Sequence, residues 1–163
     1  VIASGPDVGN VLLPDERIKA VMFTGSTVTG NVIANALAQR GGEQVPLIAE
    51  TGGQNCMIVD STALPEQVVD DVIGSGFQSA GQRCSALRVL FLQEEIADPV
   101  TDMLIGALNE LTVGDPALLA TDIGPVIYHN ALAHLHSHAY HMHNHGYISL
   151  ECTLPTHNAN TTA

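Results

Sequence analysis

The hydrophobic pattern divides most of the chain into short apolar runs that alternate with longer segments of helical spacing. Residues 18–24, Ile-Lys-Ala-Val-Met-Phe-Thr, are rich in apolar and branched side chains and stop at Gly25, which predicts a buried strand of a parallel sheet. From Thr27 to Arg40 the apolar positions Val28, Val32, Ile33, Ala36 and Leu37 recur at helical spacing, and Gly41-Gly42 supplies a stop. Val45 to Ala49 reads as a second strand leading to Glu50, and Asn55 to Val59 as a third beyond the Gly52-Gly53 turn. Ser61 to Glu66 reads as a helix entry, and Val68, Val69, Val72, Ile73 and Phe77 form the apolar stripe of the helix that follows, before Gly81. Arg88 to Gln93 predicts another strand. Residues 96–111 predict an amphipathic helix with Ile96, Val100, Leu104, Ala107, Leu108 and Leu111 on one face, ended by Gly114-Asp115-Pro116. Strands alternating with helices imply an α/β fold.

Composition narrows the partners more than the fold. The chain has 163 residues, enough for one ordinary domain, and a complete domain of that size buries roughly 70% of its unfolded surface. It opens on Val1-Ile2-Ala3 and closes on Thr161-Thr162-Ala163 after a polar stretch, so it reads as an internal segment of a longer polypeptide. With 17 acidic and 5 basic side chains its formal charge is -12, which argues against nucleic acid and anionic membranes as partners. No apolar run approaches the ~20 residues of a membrane span. Cys56, Cys84 and Cys152 form neither a CxxC pair nor an even framework, which fits a reduced, cytoplasmic setting. Cys56, inside an apolar run, reads as a buried small hydrophobe. Cys152 has no motif around it.

Three short motifs carry candidate chemistry. Phe23-Thr24-Gly25-Ser26-Thr27 lies between a strand and a helix, where a glycine admits a phosphate close to the backbone and the helix start presents free N–H groups. The same residues also suit an ordinary turn with Ser or Thr as N-cap, and the full glycine fingerprint of a standard dinucleotide site is missing. Glu50 follows a strand and precedes two glycines, which suits either a general base or a solvated strand-end acid. Cys84, in Gly81-Gln82-Arg83-Cys84-Ser85, sits at a turn with Arg83 and Arg88 nearby; cations favour the reactive thiolate, although a buried structural thiol would suit the same pattern.

In this order and spacing, these motifs resemble the aldehyde dehydrogenase superfamily over residues 5 to 127. The wording Ala49-Glu50-Thr51-Gly52-Gly53-Gln54-Asn55, Ser79 to Arg88 and Asp122-Ile123-Gly124-Pro125-Val126-Ile127 is similar to the glutamate-semialdehyde (pyrroline-5-carboxylate) dehydrogenase branch, as found in bacterial bifunctional proline utilization proteins. The resemblance implies residues 1–50 as the end of a Rossmann-type NAD-binding domain. It implies residues 51–163 as the start of an α/β catalytic domain. It further implies Cys84 as nucleophile and Glu50 as the base that activates water. Thr24, Gly25, Ser26 and Thr27 would lie at the pyrophosphate of NAD, and Ser85 at the substrate carboxylate. The implied reaction is oxidation of L-glutamate γ-semialdehyde to L-glutamate through a thioester, with a general aldehyde dehydrogenase of other substrate as the alternative. The implied parent is a cytoplasmic homo-oligomer, with a flavin-dependent proline dehydrogenase as a candidate fusion partner. The second oxyanion donor and the ribose-binding groups of the family fall outside these residues, so the chain alone is expected to be inactive.

After Ile127 the pattern changes. All 8 histidines lie between His129 and His157. His134, His138, His141 and His145 share one helical face, which suits a transition-metal site. It suits better a solvated amphipathic helix with Leu132, Leu135 and Met142 inward, and no residue is assigned as a metal ligand.

Overall fold

The computed structural model describes residues 4–147. The chain divides into two compact units, Val1–Gly53 and Gln54–Ala163.

The first unit contains α1 (Gly5–Leu12), β1 (Val21–Thr24), α2 (Thr27–Gln39) and β2 (Leu47–Glu50). Helix α1 has no counterpart in the apolar pattern because it buries no residue. Its start is set by a cap instead: the Ser4 hydroxyl accepts the Asp7 N–H, and a proline lies in the first turn. Strands β1 and β2 pair in parallel, with Val21 opposite Leu47 and Thr24 opposite Glu50, and α2 makes the crossover. β1 is shorter than the apolar run because the chain ahead of it turns, Ile18 N–H donating to the Asp15 carbonyl at 3.0 Å. Helix α2 ends where Gly41 and Gly42 adopt φ of 73° and 74°, a conformation glycine reaches without steric cost.

The second unit contains β3 (Asn55–Val59), α3 (Pro65–Gly76), β4 (Leu87–Leu92), α4 (Glu94–Glu110) and α5 (His129–Asn144). β3 and β4 pair in parallel. Their inner face packs with α3 and α4 around Val59, Val68, Val69, Val72 and Val100, the last with no exposed surface. The stripe of α3 is thus the stripe read from spacing. The helix starts later than Ser61, however, because Pro65 fixes its first turn and holds Leu64 extended at ψ 116°. Thr62 is used instead in a turn on the Asp60 carboxylate.

Each sheet covers only one face. Met22 and Ile48, partners in the β1–β2 register, are 80% and 54% exposed, and so are Ile58 and Phe91, partners in β3–β4, at 80% and 54%. Cys56 shares the outer face of β3 with Ile58 and is exposed, which corrects the reading of it as a buried hydrophobe: α3 and α4 pack on the opposite face. Helix α5 buries no residue. Leu132 and Leu135 are 42% and 53% exposed, and of the three side chains expected to point inward only Met142 is half-buried. The His141 and His145 rings lie 4.0 Å apart. Among the described residues no group of three or more His, Cys, Asp or Glu side chains could hold a metal. Cys152 and His157 lie outside the described residues.

Candidate active site

In the first unit the parallel ladder brings the strand ends together. Beyond the Thr24–Glu50 pair the Gly25 N–H donates to the Glu50 carbonyl at 3.1 Å, so the turn entering α2 and the candidate base share one sheet end. The Glu50 side chain is exposed. A Cβ at Gly25 would meet Cζ of Phe23 at 2.5 Å, so a side chain there would displace the Phe23 ring. Ser26 is the N-cap of α2: its Oγ accepts the Thr29 N–H at 3.1 Å and lies 2.9 Å from the Thr29 hydroxyl. The capping function is therefore real. It leaves the first N–H groups of α2, on Thr27 and Val28, without helical acceptors by position. Thr24, Gly25, Ser26 and Thr27 are all exposed. This end of α2 fits an anionic group such as a pyrophosphate, whose oxygens those N–H groups and the helix dipole would satisfy.

In the second unit α3 breaks into a turn, Gln78–Gly81, whose backbone is left-handed over three consecutive residues. Ser79, Ala80 and Gly81 have φ of 56°, 53° and 64°. Left-handed backbone at a residue other than glycine costs on the order of 1–3 kcal/mol and persists where surrounding structure enforces it. Here the enforcement is visible. Gln82 donates its backbone N–H and its Nε2 to the Ser79 carbonyl at 3.1 and 3.0 Å, and its Oε1 accepts the Ile127 N–H at 2.8 Å. Arg88 Nη2 donates to the Gly81 carbonyl at 2.7 Å. At Gly81 a Cβ would stand 2.8 Å from the Gly76 carbonyl oxygen, so only glycine fits.

Cys84 and Ser85 leave this turn exposed, and Ala86 behind them is fully buried. Asn55 Nδ2 donates to the Cys84 carbonyl at 2.7 Å and to that of Ala86 at 3.0 Å, each such bond worth about 0.5–1.5 kcal/mol net. Arg83 Nη2 donates to the Gly74 and Ser75 carbonyls at 2.7 and 3.4 Å. The two arginines read as cations for the thiolate thus hold main chain at the end of α3 and around the turn. An exposed thiol on a braced turn is suited to attack an external electrophile. Sequence reasoning overlooked Asn55 and Gln82 as groups that hold this turn; for Asn55 the available signal was a polar residue at the head of the apolar run Asn55 to Val59.

A family model described as "Aldehyde dehydrogenase family" matches residues 1–158. The chain belongs to this family. Among curated aldehyde dehydrogenase relatives, it is 56% identical over 137 residues to the bifunctional protein PutA of Klebsiella aerogenes, covering 82% of this chain and 10% of that protein. It is 37% identical over 131 residues to 1-pyrroline-5-carboxylate dehydrogenase of Geobacillus kaustophilus, covering 78% of this chain and 25% of that one. The chain therefore spans about a tenth of the length of the PutA relatives. Among solved structures, proline utilization A (PutA) with proline bound in remote sites matches with a TM-score of 0.89 at 47% identity, over 96% of this chain and 16% of that one. A PutA mutant of Bradyrhizobium japonicum matches with a TM-score of 0.83 at 50% identity, over 88% and 15%. The α/β architecture read from the sequence is that of an aldehyde dehydrogenase.

Proposed function

We propose that this chain carries the nucleophile and the base of an NAD-dependent oxidation of L-glutamate γ-semialdehyde to L-glutamate, the second step of proline breakdown. One observation carries the reading: Cys84 is exposed on a braced, strained turn in a chain 56% identical to a bifunctional PutA. The pyrroline-5-carboxylate dehydrogenase relatives support the same substrate.

In this reading the Cys84 thiolate forms a C–S bond to the aldehyde carbon and the carbonyl π pair moves to oxygen, where the Cys84 N–H donates to it. A bound dinucleotide would supply the two-electron oxidant as hydride acceptor; with the C–H bond broken, the oxyanion pair re-forms the carbonyl and a thioester is left on Cys84. Glu50 then takes a proton from water, the water oxygen attacks the thioester carbon, and the C–S bond breaks to return the thiolate. Gly25, Ser26 and Thr27 hold the pyrophosphate at the start of α2, with Thr24 beside them, and Ser85 donates to the substrate carboxylate.

A cytoplasmic, homo-oligomeric parent joined to a flavin-dependent proline dehydrogenase belongs to the same proposal; the bifunctional relatives support the fusion alone. Among the described residues no helix is long and apolar enough to cross a membrane. Isolated, the 163-residue chain is expected to be inactive, because the resemblance puts the second oxyanion donor and the ribose-binding groups beyond it.

The test is NADH formation by the polypeptide of the full reading frame, supplied with glutamate semialdehyde. Turnover that disappears in Cys84→Ala and in Glu50→Gln supports the proposal. Turnover with simple aliphatic aldehydes and none with the semialdehyde overturns the substrate; turnover kept in Cys84→Ala overturns the mechanism.

A further inference from the structure

We propose that Asn55 is a positioning residue for the nucleophile, its amide fixing the main chain on either side of Ser85 so that the Cys84 thiol and N–H keep one orientation toward the substrate. The proposal rests on the reading of Cys84 as the nucleophile.

Asn55 opens β3 opposite Leu87, and the ladder shifts register between Asn55 and Cys56. At that irregular step its amide reaches the nucleophile turn, 2.7 Å from the Cys84 carbonyl and 3.0 Å from that of Ala86. A single NH2 group carries two protons, so both bonds form together, and the two carbonyls determine which end of the amide faces them. The anchor behind the turn is buried: Ala86 has no exposed surface. The other side of Cys84 is held as well. Arg88 Nη2 donates to the Arg83 carbonyl at 3.4 Å and to that of Gly81 at 2.7 Å, and the Arg83 carbonyl belongs to the same peptide plane as the Cys84 N–H. Asn55 holds the following plane through the Cys84 carbonyl. The Cα of Cys84 is thus bracketed by two fixed peptides, which sets both the vector of its side chain and the direction of the N–H that meets the developing oxyanion. Asparagine suits this position and aspartate does not, because a carboxylate would set oxygen against two carbonyl oxygens.

The experiment replaces Asn55 in the full-length enzyme with Ala and with Asp and measures NADH formation, thermal unfolding and iodoacetamide labelling of Cys84 by mass spectrometry. A misplaced reacting group costs on the order of 100-fold in rate, so kcat is expected to fall about 100-fold with KM within about threefold. Labelling of Cys84 should still reach completion, because alkylation needs an accessible thiol and no aligned N–H. Asn55→Asp should be the slower of the two variants. Unchanged kcat in both variants overturns the proposal, and so does a change confined to KM. Failure of both to fold overturns it too, since the amide then serves the fold alone. Cys84→Ala run in parallel separates the two readings: turnover retained there removes the nucleophile, whereas turnover lost there but kept in both Asn55 variants removes only the positioning.

Discussion

A thiol reacts selectively when its backbone is held still, and here the holding falls to groups around Cys84 rather than to the cysteine. Gly81 is the sharpest case. Its φ of 64° and the 2.8 Å approach of the Gly76 carbonyl to where a Cβ would sit combine two penalties. Gly81→Ala is therefore expected to destabilise the second unit by roughly 1–3 kcal/mol, seen as a lower urea midpoint. That Gly25 and Glu50 lie at strand ends and Cys84 at a turn was legible in the sequence because each stands in a compact motif. The brace was not. Asn55 meets Cys84 across 29 positions and Gln82 meets Ile127 across 45, contacts that strand register creates and local spacing does not encode.

The β–α–β crossover and the two helices over β3–β4 follow from spacing because their apolar positions face a single partner. Val100 on α4 is completely buried against the α3 stripe. Val100→Ala should cost about 2 kcal/mol, between the values for smaller and larger core truncations, and a chemical denaturation series reads it. The loop from β3 to α3 carries an acid-sensitive element. The Thr62 hydroxyl, and then its N–H, donate to Asp60 and hold this carboxyl below the ordinary carboxylate range. A depressed folded value means that the contribution is present above the unfolded value and is lost as the pH falls through the folded one. Stability of Asp60→Asn should accordingly show less loss on acidification, measured by unfolding midpoints at neutral and acid pH. Helices α1 and α5 were harder to place. The first is set by a cap, and the second has histidines around a helix that buries nothing. Calorimetric titration of the chain with zinc at neutral pH tests the metal reading of α5: saturable heat supports it and the lack of heat removes it.

Charge and apolar surface act on the chain together. A formal charge of -12 opposes association, whereas the outward pairs Met22–Ile48 and Ile58–Phe91 favour it, since contiguous exposed apolar surface is adhesive. Added salt screens the first effect and not the second. The isolated chain should therefore bind an apolar dye and grow in apparent mass as ionic strength rises, which light scattering would follow; a monomer at all salt concentrations would contradict this.

The long-range ties of the turn that carries Cys84 also bear on the order in which the chain folds. The turn cannot complete itself from neighbouring residues, since one strap arrives from β3 and another from the segment before α5. Closing loops of that length precedes any reward from the contacts they make. A nascent chain emerging from the ribosome would thus carry Cys84 on an incompletely strapped turn until residue 127 is synthesised, because only then can Gln82 accept the Ile127 N–H.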